Sequence, residues 1–327
     1  MSFRYTVYGL GIESNHPLPG LISLEDSSPV DVRVEFNDPG TPSGAVLAGA
    51  RLFYQSGYRD ENGDPALMFW DSAAEPGYAR FLYANGAEFV IDDGGRRVRV
   101  YRPPAVSAEE AAAYLIGPVL GYVLRLKGEV VLHAGAVVVA GGIVALAGPS
   151  HSGKSTLAAA FAHLGYPVFS DDVVALRAHE GLFFAQPGYP RLKLWPASAA
   201  VVQTSPDHLP LISAAEDKRF LDLTAGRYRF HDSPLPLRAV YVLGARRTDE
   251  SPAIGIEPLS EKRALLLLIA NTYINQLLNR ELRGFEFELL TQIARRIPVS
   301  VLAAPDALSD LPGFCGTILD DLSLRPR

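Results

Sequence analysis

Cysteine is almost missing from this chain of 327 residues, with Cys315 as its single representative. An intrachain disulfide and a thiolate metal cage are therefore excluded, and the one thiol reads as a small buried hydrophobe. Tryptophan occurs twice, at Trp70 and Trp195; two isolated indoles form no stacking platform and read as packing residues. No block of Lys and Arg tracks a phosphate backbone, and the net charge is −6 with a pI of about 5.7, so no nucleic acid partner is expected. The longest purely apolar run, 264–270, falls far short of the roughly 20 residues that span a bilayer. It reads as a buried helix face, and no membrane partner is expected. The opening MSFRYTVYGL has no basic region leading into an apolar stretch and a small-residue cleavage site, which predicts no secretory signal and a cytoplasmic location. Internal repeats and low-complexity tracts are absent as well.

What is present is an ordinary globular composition, 48% hydrophobic and 20% charged, in a chain long enough for two domains. From 3 to about 102 the text is strand-like. Segments 4–8, 32–36, 51–54, 79–83, 88–91 and 98–101 are short and rich in aromatic or β-branched residues, and turn signals such as Asp38-Pro39-Gly40 separate them. Pro103-Pro104 punctuates the chain, and Ser107 followed by Glu110 forms a capping box that opens a helix toward Leu126. The expected division is a β-rich domain over 1–104 and a second domain over 105–327.

The second domain opens with apolar runs at 130–139 and 143–147, joined by Ala140-Gly141-Gly142 as a tight hairpin turn. The second run ends at GPSHSGKST, Gly148 to Thr156, which fits the phosphate-cradling pattern G-x-x-x-x-G-K-[ST]. In such a loop, consecutive N–H groups and a helix N-terminus converge on an anion, here Gly148, Pro149, Ser150, His151, Ser152, Gly153, Lys154, Ser155 and Thr156. Lys154 would reach the β/γ oxygens and the Ser155 hydroxyl would ligate magnesium. The pattern arises by chance in about 1% of chains of this length. Its context also fits: a strand precedes it, apolar residues at 157, 160, 161 and 164 follow with helical spacing, and Gly165 stands at the helix C-terminus. Helices are further expected over 261–282 and 284–295, with strands at 173–177, 182–185, 191–194, 239–243 and 299–302. The mixed order predicts an α/β core with antiparallel additions.

Asp171-Asp172 follows Lys154 by 17 residues, at the end of the next strand, and is expected to face the loop across one strand spacing of about 5 Å. Two carboxylates there can divide the work of phosphoryl transfer, one holding magnesium and the other accepting a proton. By composition alone, His133 in VVLHAGAVVV reads as a core histidine.

The succession of LHAGAVVV, GPSHSGKST and YPVFSDDVVAL resembles the catalytic domain of the bacterial HPr kinase/phosphorylases, and the interval of 21 residues from His133 to Lys154 fits as well. The likeness covers roughly 130–177. The opening YTVYGLGIESNHPLPGL, with GYPRLKLWP and DKRFLDL, is similar to the shorter HPr-kinase-like proteins encoded beside lasso-peptide and other peptide-maturation genes. The resemblance implies a fold like phosphoenolpyruvate carboxykinase around the nucleotide site, and ATP- and Mg2+-dependent transfer to a serine hydroxyl. It makes Lys154 the phosphate ligand, Ser155 and Asp172 magnesium-site residues, Asp171 the general base and His133 a neighbour that orients the site. Two positions depart from the family: His151 stands where glycine is usual, and Thr156 where the bifunctional enzymes carry glutamate.

Lys218, Arg219, Arg191 and Arg238 are candidate cations for phosphate or acceptor contacts, each with a plain alternative as a solvated surface charge. Arg191 and Lys193 alternate along a strand and should share a face. Residues 270–278, ANTYINQLL, are expected to shape the core or an acceptor cleft. The leading expectation is a serine kinase acting on a peptide or small protein, with a lasso-type precursor as the first acceptor to test. The β-rich domain would help to recognise that acceptor, and the resemblance suggests a homo-oligomer. A small-metabolite kinase and a nucleotide-binding regulator that transfers nothing stay open as alternatives.

Overall fold

The structure, a computed structural model, describes residues 2–25, 27–41, 43, 49–72, 74–202, 206–213, 216–224, 226–244, 255–303 and 308–325. The chain divides into two compact units, Met1–Glu129 with Ile274–Arg283, and Val130–Tyr273 with Gly284–Arg327. Both contain strands and helices, and the fold is mixed α/β.

The first unit is built on strands β1 (Phe3–Val7), β2 (Leu10–Ser14), β3 (Ile22–Ser23), β4 (Val32–Phe36), β5 (Ala50–Gln55), β6 (Leu67–Ser72), β7 (Ala79–Tyr83), β8 (Glu88–Asp92) and β9 (Arg97–Tyr101). They form one sheet in the order β3-β1-β2-β4-β9-β8-β7-β6-β5. The helical segment expected to open the second domain belongs to this unit, so the compact boundary falls at 129/130 rather than at 104/105. The reason is aromatic packing. Tyr122 is buried with its ring 5.0 Å from Phe69 and 5.9 Å from Phe81, and Tyr114 stacks on Tyr83 at 3.9 Å. The segment is also two helices, α1 (Ala108–Tyr114) and α2 (Leu120–Leu126), separated by a π-turn over Leu115–Val119 where Gly117 leaves helical geometry just before Pro118. Proline removes a helix hydrogen bond and disfavours the α region at the residue before it. The Ser107 cap forms, accepting from Glu110 N–H at 3.0 Å, but the box does not close because Glu110 Oε1 accepts from Asn85 at 2.8 Å.

In the second unit β10 (Val130–Val139) turns into β11 (Gly142–Ala147) through Ala140 and Gly141, both at positive φ, as a type I′ hairpin requires. The chain continues through α3 (Lys154–His163), β12 (Val168–Ser170), β13 (Val173–His179), β14 (Leu182–Gln186), β15 (Arg191–Leu194) and α4 (Pro196–Ala199). Then come β16 (Leu211–Ser213), β17 (Glu216–Asp222), β18 (Leu235–Leu243), β19 (Ile256–Pro258), α5 (Glu261–Ala270), α6 (Arg280–Arg296, of which Arg280–Arg283 fall in the first unit), β20 (Val299–Leu302) and α7 (Leu311–Ser323).

Strand β11 is buried at every residue and lies between β10, antiparallel, and β18, parallel. Its side chains serve two cores. Val144 and Leu146 join Leu157, Phe161 and Phe314 from α3 and α7, whereas Ile143, Ala145 and Ala147 join Leu268 and Leu290 from α5 and α6. A strand covered by helices on both faces reads as a continuous apolar run, which IVALA does. Burying Leu157 and Phe161 contributes about 1.5–3 kcal/mol each to holding α3 on the sheet.

The helix expected over 261–282 stops at Ala270. There the backbone is captured by β10: His133 N–H donates to Asn271 O at 2.7 Å and Tyr273 N–H to Val131 O at 2.9 Å. Ile274 then turns left-handed at φ 50. The helix expected over 284–295 is α6, which begins earlier, at Arg280, and runs through Gly284 to Arg296.

Candidate functional site

Residues 148–153 link the C-terminal end of β11 to the first turn of α3, with Gly153 at φ 99 and His151 at φ 65. The first helical N–H groups have no acceptor within α3, and Ser152 Oγ is buried with no hydrogen-bond partner among the described residues. An orphaned buried hydroxyl is costly. It fits a loop built to receive an anion. Lys154 is buried at the mouth, where Nζ donates to the carbonyls of Gly148 at 3.0 Å and Pro149 at 2.9 Å. Burial draws its ammonium below the ordinary lysine range, against the opposing pull of Asp172 and Asp171.

Strand β12 does not neighbour β11 as expected; β10 lies between them, pairing with both. The carboxylates reach the loop through α3 instead. Ser155 Oγ donates to Asp171 Oδ1 at 2.8 Å, and the backbone N–H of Lys193 donates to Asp171 Oδ2 at 2.7 Å. Asp171 is thus buried with both oxygens engaged, and burial together with the adjacent Asp172 charge raises its pKa. Asp172 stands in the left-handed region at φ 63 and is partly exposed. Its Oδ2 accepts from Lys193 Nζ at 3.2 Å and its Oδ1 lies 3.9 Å from His133 Nε2. Burial works upward on this carboxyl, but Lys193 and then His133 outweigh it and hold it below the usual range. Two adjacent carboxylates are thereby driven apart in acidity, as acid/base sites require.

His133 is fixed by its strand and by the ring of Tyr273 at 5.9 Å. Burial, reinforced by the Lys154 cation, lowers its pKa to about 4, so the imidazole is neutral near pH 7. Of the expected cations, Lys218 places Nζ 5.0 Å over the Trp195 ring, and its charge is felt at His133, Lys154 and Asp172. Arg219 instead pairs with Asp217 at 3.1 Å and donates to Leu209 O, and Arg191 lies 5.0 Å over Phe220. Arg238 sits beside Gly142 at the opposite end of β11 from the loop. Five residues of extended chain, about 16 Å, separate it from Leu243, which packs on Gly148.

Two residues central to this arrangement carry little signal in the sequence. Lys193 reads only as an alternating strand cation, yet it touches both aspartates. Trp195 reads as packing, yet it is 38% exposed and stacks on His151 with centroids 5.6 Å apart. Thr156 adds to the same corner, its Oγ1 lying 2.8 Å from Ser198 Oγ on α4. Beside the loop opens a cleft of about 730 Å³ whose walls include Leu243, Leu267, Ala270 and Val301, with Asn271 as a buried polar group.

No protein-family model and no curated protein matches the chain. Among solved structures, the Hpr(Ser) kinase/phosphatase from Coxiella burnetii aligns over 59% of this chain and 96% of the other, at 14% identity and a TM-score of 0.33.

Proposed function

We propose that the chain is an ATP- and Mg2+-dependent kinase that transfers the γ-phosphoryl group to a serine hydroxyl of a peptide or small protein. The observation that carries this reading is the Ser155–Asp171 hydrogen bond, which ties the first turn of α3, behind the loop 148–153, to a pair of carboxylates of opposed acidity. The adjacent apolar cleft has the size and lining of a nucleoside pocket.

In this reading the loop N–H groups, Ser152 and Lys154 bind the phosphates. Ser155 and Asp172 supply hard oxygen ligands suited to magnesium, which neutralises phosphate charge when bound. Asp171, with its raised pKa, takes the proton of the acceptor hydroxyl as the new O–P bond forms and the bond to the β,γ-bridging oxygen breaks, releasing ADP. His133, neutral, positions Asp172 without adding charge. Lys193 holds both carboxylates in place.

A second reading exchanges the aspartates. It is favoured by the burial of Asp171 on Ser155, which suits the metal side, and by the exposure of Asp172, which suits a base that must meet an acceptor. The two are separated by incubating Asp171→Asn and Asp172→Asn with γ-labelled ATP, magnesium and serine-containing peptides. The first reading expects Asp171→Asn to lose about 10²–10⁴-fold in transfer with ATP affinity nearly unchanged, and Asp172→Asn to raise the magnesium requirement. The reverse pattern establishes the exchange. Full activity in both variants refutes a kinase built on this pair.

A further inference from the structure

The first unit carries a cavity of its own, about 390 Å³, walled by Asp31, Arg33, Asp93, Arg96, Arg97 and Lys127. Four cations face two carboxylates there, in a chain whose net charge is −6. Arg33 and Arg97 are direct register partners on the parallel strands β4 and β9. Like charges placed opposite each other destabilise a sheet unless something neutralises them.

The neutralisation on hand is shared and incomplete. Arg33 reaches Glu13 at 3.3 Å, but the same carboxylate also serves Arg4 at 3.4 Å. Arg97 approaches Glu35 and Asp92 only to 4.0 Å each, and Asp92 is held by Arg99 at 2.8 Å. The carboxylate of Asp31 is turned to the Gly11 N–H at 2.8 Å, while its carbonyl accepts from Lys127 Nζ at 3.3 Å. Arg96 forms no ion pair among the described residues and is exposed.

The cations are also held on a stiff frame. Asp93, Gly94 and Gly95 all have positive φ, and a Cβ on Gly95 would lie 3.3 Å from Leu126 and 3.4 Å from Val123 on α2. That close approach locks the turn carrying Arg96 and Arg97 against the helix whose end carries Lys127. A fixed backbone leaves less freedom to lose when the guanidinium groups close on planar oxyanions.

We propose that this cavity is an oxyanion-binding site that takes the carboxylates of an acidic peptide segment. Its cations are spread over two strands and a helix end, and its volume is several times that of a phosphate ion, so several linked carboxylates match it better than one compact anion. On an acidic molecule, a local basic pocket sets the register and orientation of such a peptide. That the peptide is the phosphoryl acceptor rests on the proposed function; the binding itself does not.

The test is titration of the full chain, without nucleotide, with a fluorescein-labelled hexaglutamate peptide at low salt. Binding is expected, with hexalysine not bound, and the double variant Arg96→Glu/Arg97→Glu should weaken it at least about tenfold. Arg96→Gln/Arg97→Gln should fall between. Equal affinity in the charge-reversed variant, or no binding by the unaltered chain, overturns the site. Displacement of the peptide by equimolar inorganic phosphate overturns the peptide as its source. ATP binding is measured in parallel: its absence in the unaltered chain sinks the kinase reading and leaves the peptide result standing.

Discussion

His133 is the residue at which burial and charge can be read most directly. Its imidazole, lowered to about 4 by burial and the Lys154 cation, should titrate near that value in an NMR pH series, against about 6.5 for an exposed histidine. Between pH 6.5 and 4 the unfolded chain binds a proton at this position that the folded chain refuses. Stability therefore rises with pH across that window. His133→Gln should flatten this part of the stability curve, and an unchanged slope would show that the ring is not desolvated. Trp195 offers a second residue-scale signal because its ring contacts His151 and Lys218. With Trp70→Phe as the background, nucleotide should change Trp195 emission; an emission blind to saturating ATP and magnesium would separate the stack from the loop. Cys315, fully buried with its thiol pushed up to about 12 by burial, is the inert thiol its sequence context suggests.

At the scale of elements, the position of Asp171 depends on how β12 ends. Gly188 N–H donates to Phe169 O at 3.0 Å, and a Cβ on Gly188 would fall 2.3 Å from Ser170 Oγ and 3.1 Å from Ser170 Cα. A rotamer change can move the hydroxyl but not the backbone atom, so Gly188→Ala should destabilise by about 1–3 kcal/mol. It should also shift the Asp171 carboxylate away from Ser155, with thermal denaturation and transfer rate as the two readouts; a variant equal to the parent in both would show that β12 has slack. The same scale explains where periodicity misleads. The pattern over 261–282 is helical, but His133 and Val131 offer backbone partners to Asn271 and Tyr273, and pairing with the strand wins over another turn of helix. The helix expected to run toward Leu126 keeps its cap at Ser107 but breaks at Gly117-Pro118.

For the whole molecule, each compact unit holds one tryptophan, Trp70 in the first and Trp195 in the second. A ligand that binds the folded loop should stabilise the second unit by mass action. At a hundredfold excess over Kd, the denaturation transition reported by Trp195 in the Trp70→Phe variant should move by about 2.7 kcal/mol. Failure to move at saturating ATP and magnesium would argue against a nucleotide site at 148–156.

The local backbone was legible in the letters: the turn Ala140-Gly141, the loop between β11 and α3, the helix behind it closed by Gly165, and the aspartate pair at a strand end. Each depends on backbone angles or side-chain types within a few residues, and these are encoded where they act. The tertiary structure alone decided that β10 separates β11 from β12, that Lys193 bridges the two aspartates, that Trp195 stacks on the loop, and that Arg238 lies at the far end of its strand. Those outcomes depend on which distant segments pair and pack, and a residue's neighbours across a sheet carry no mark in the sequence beside it.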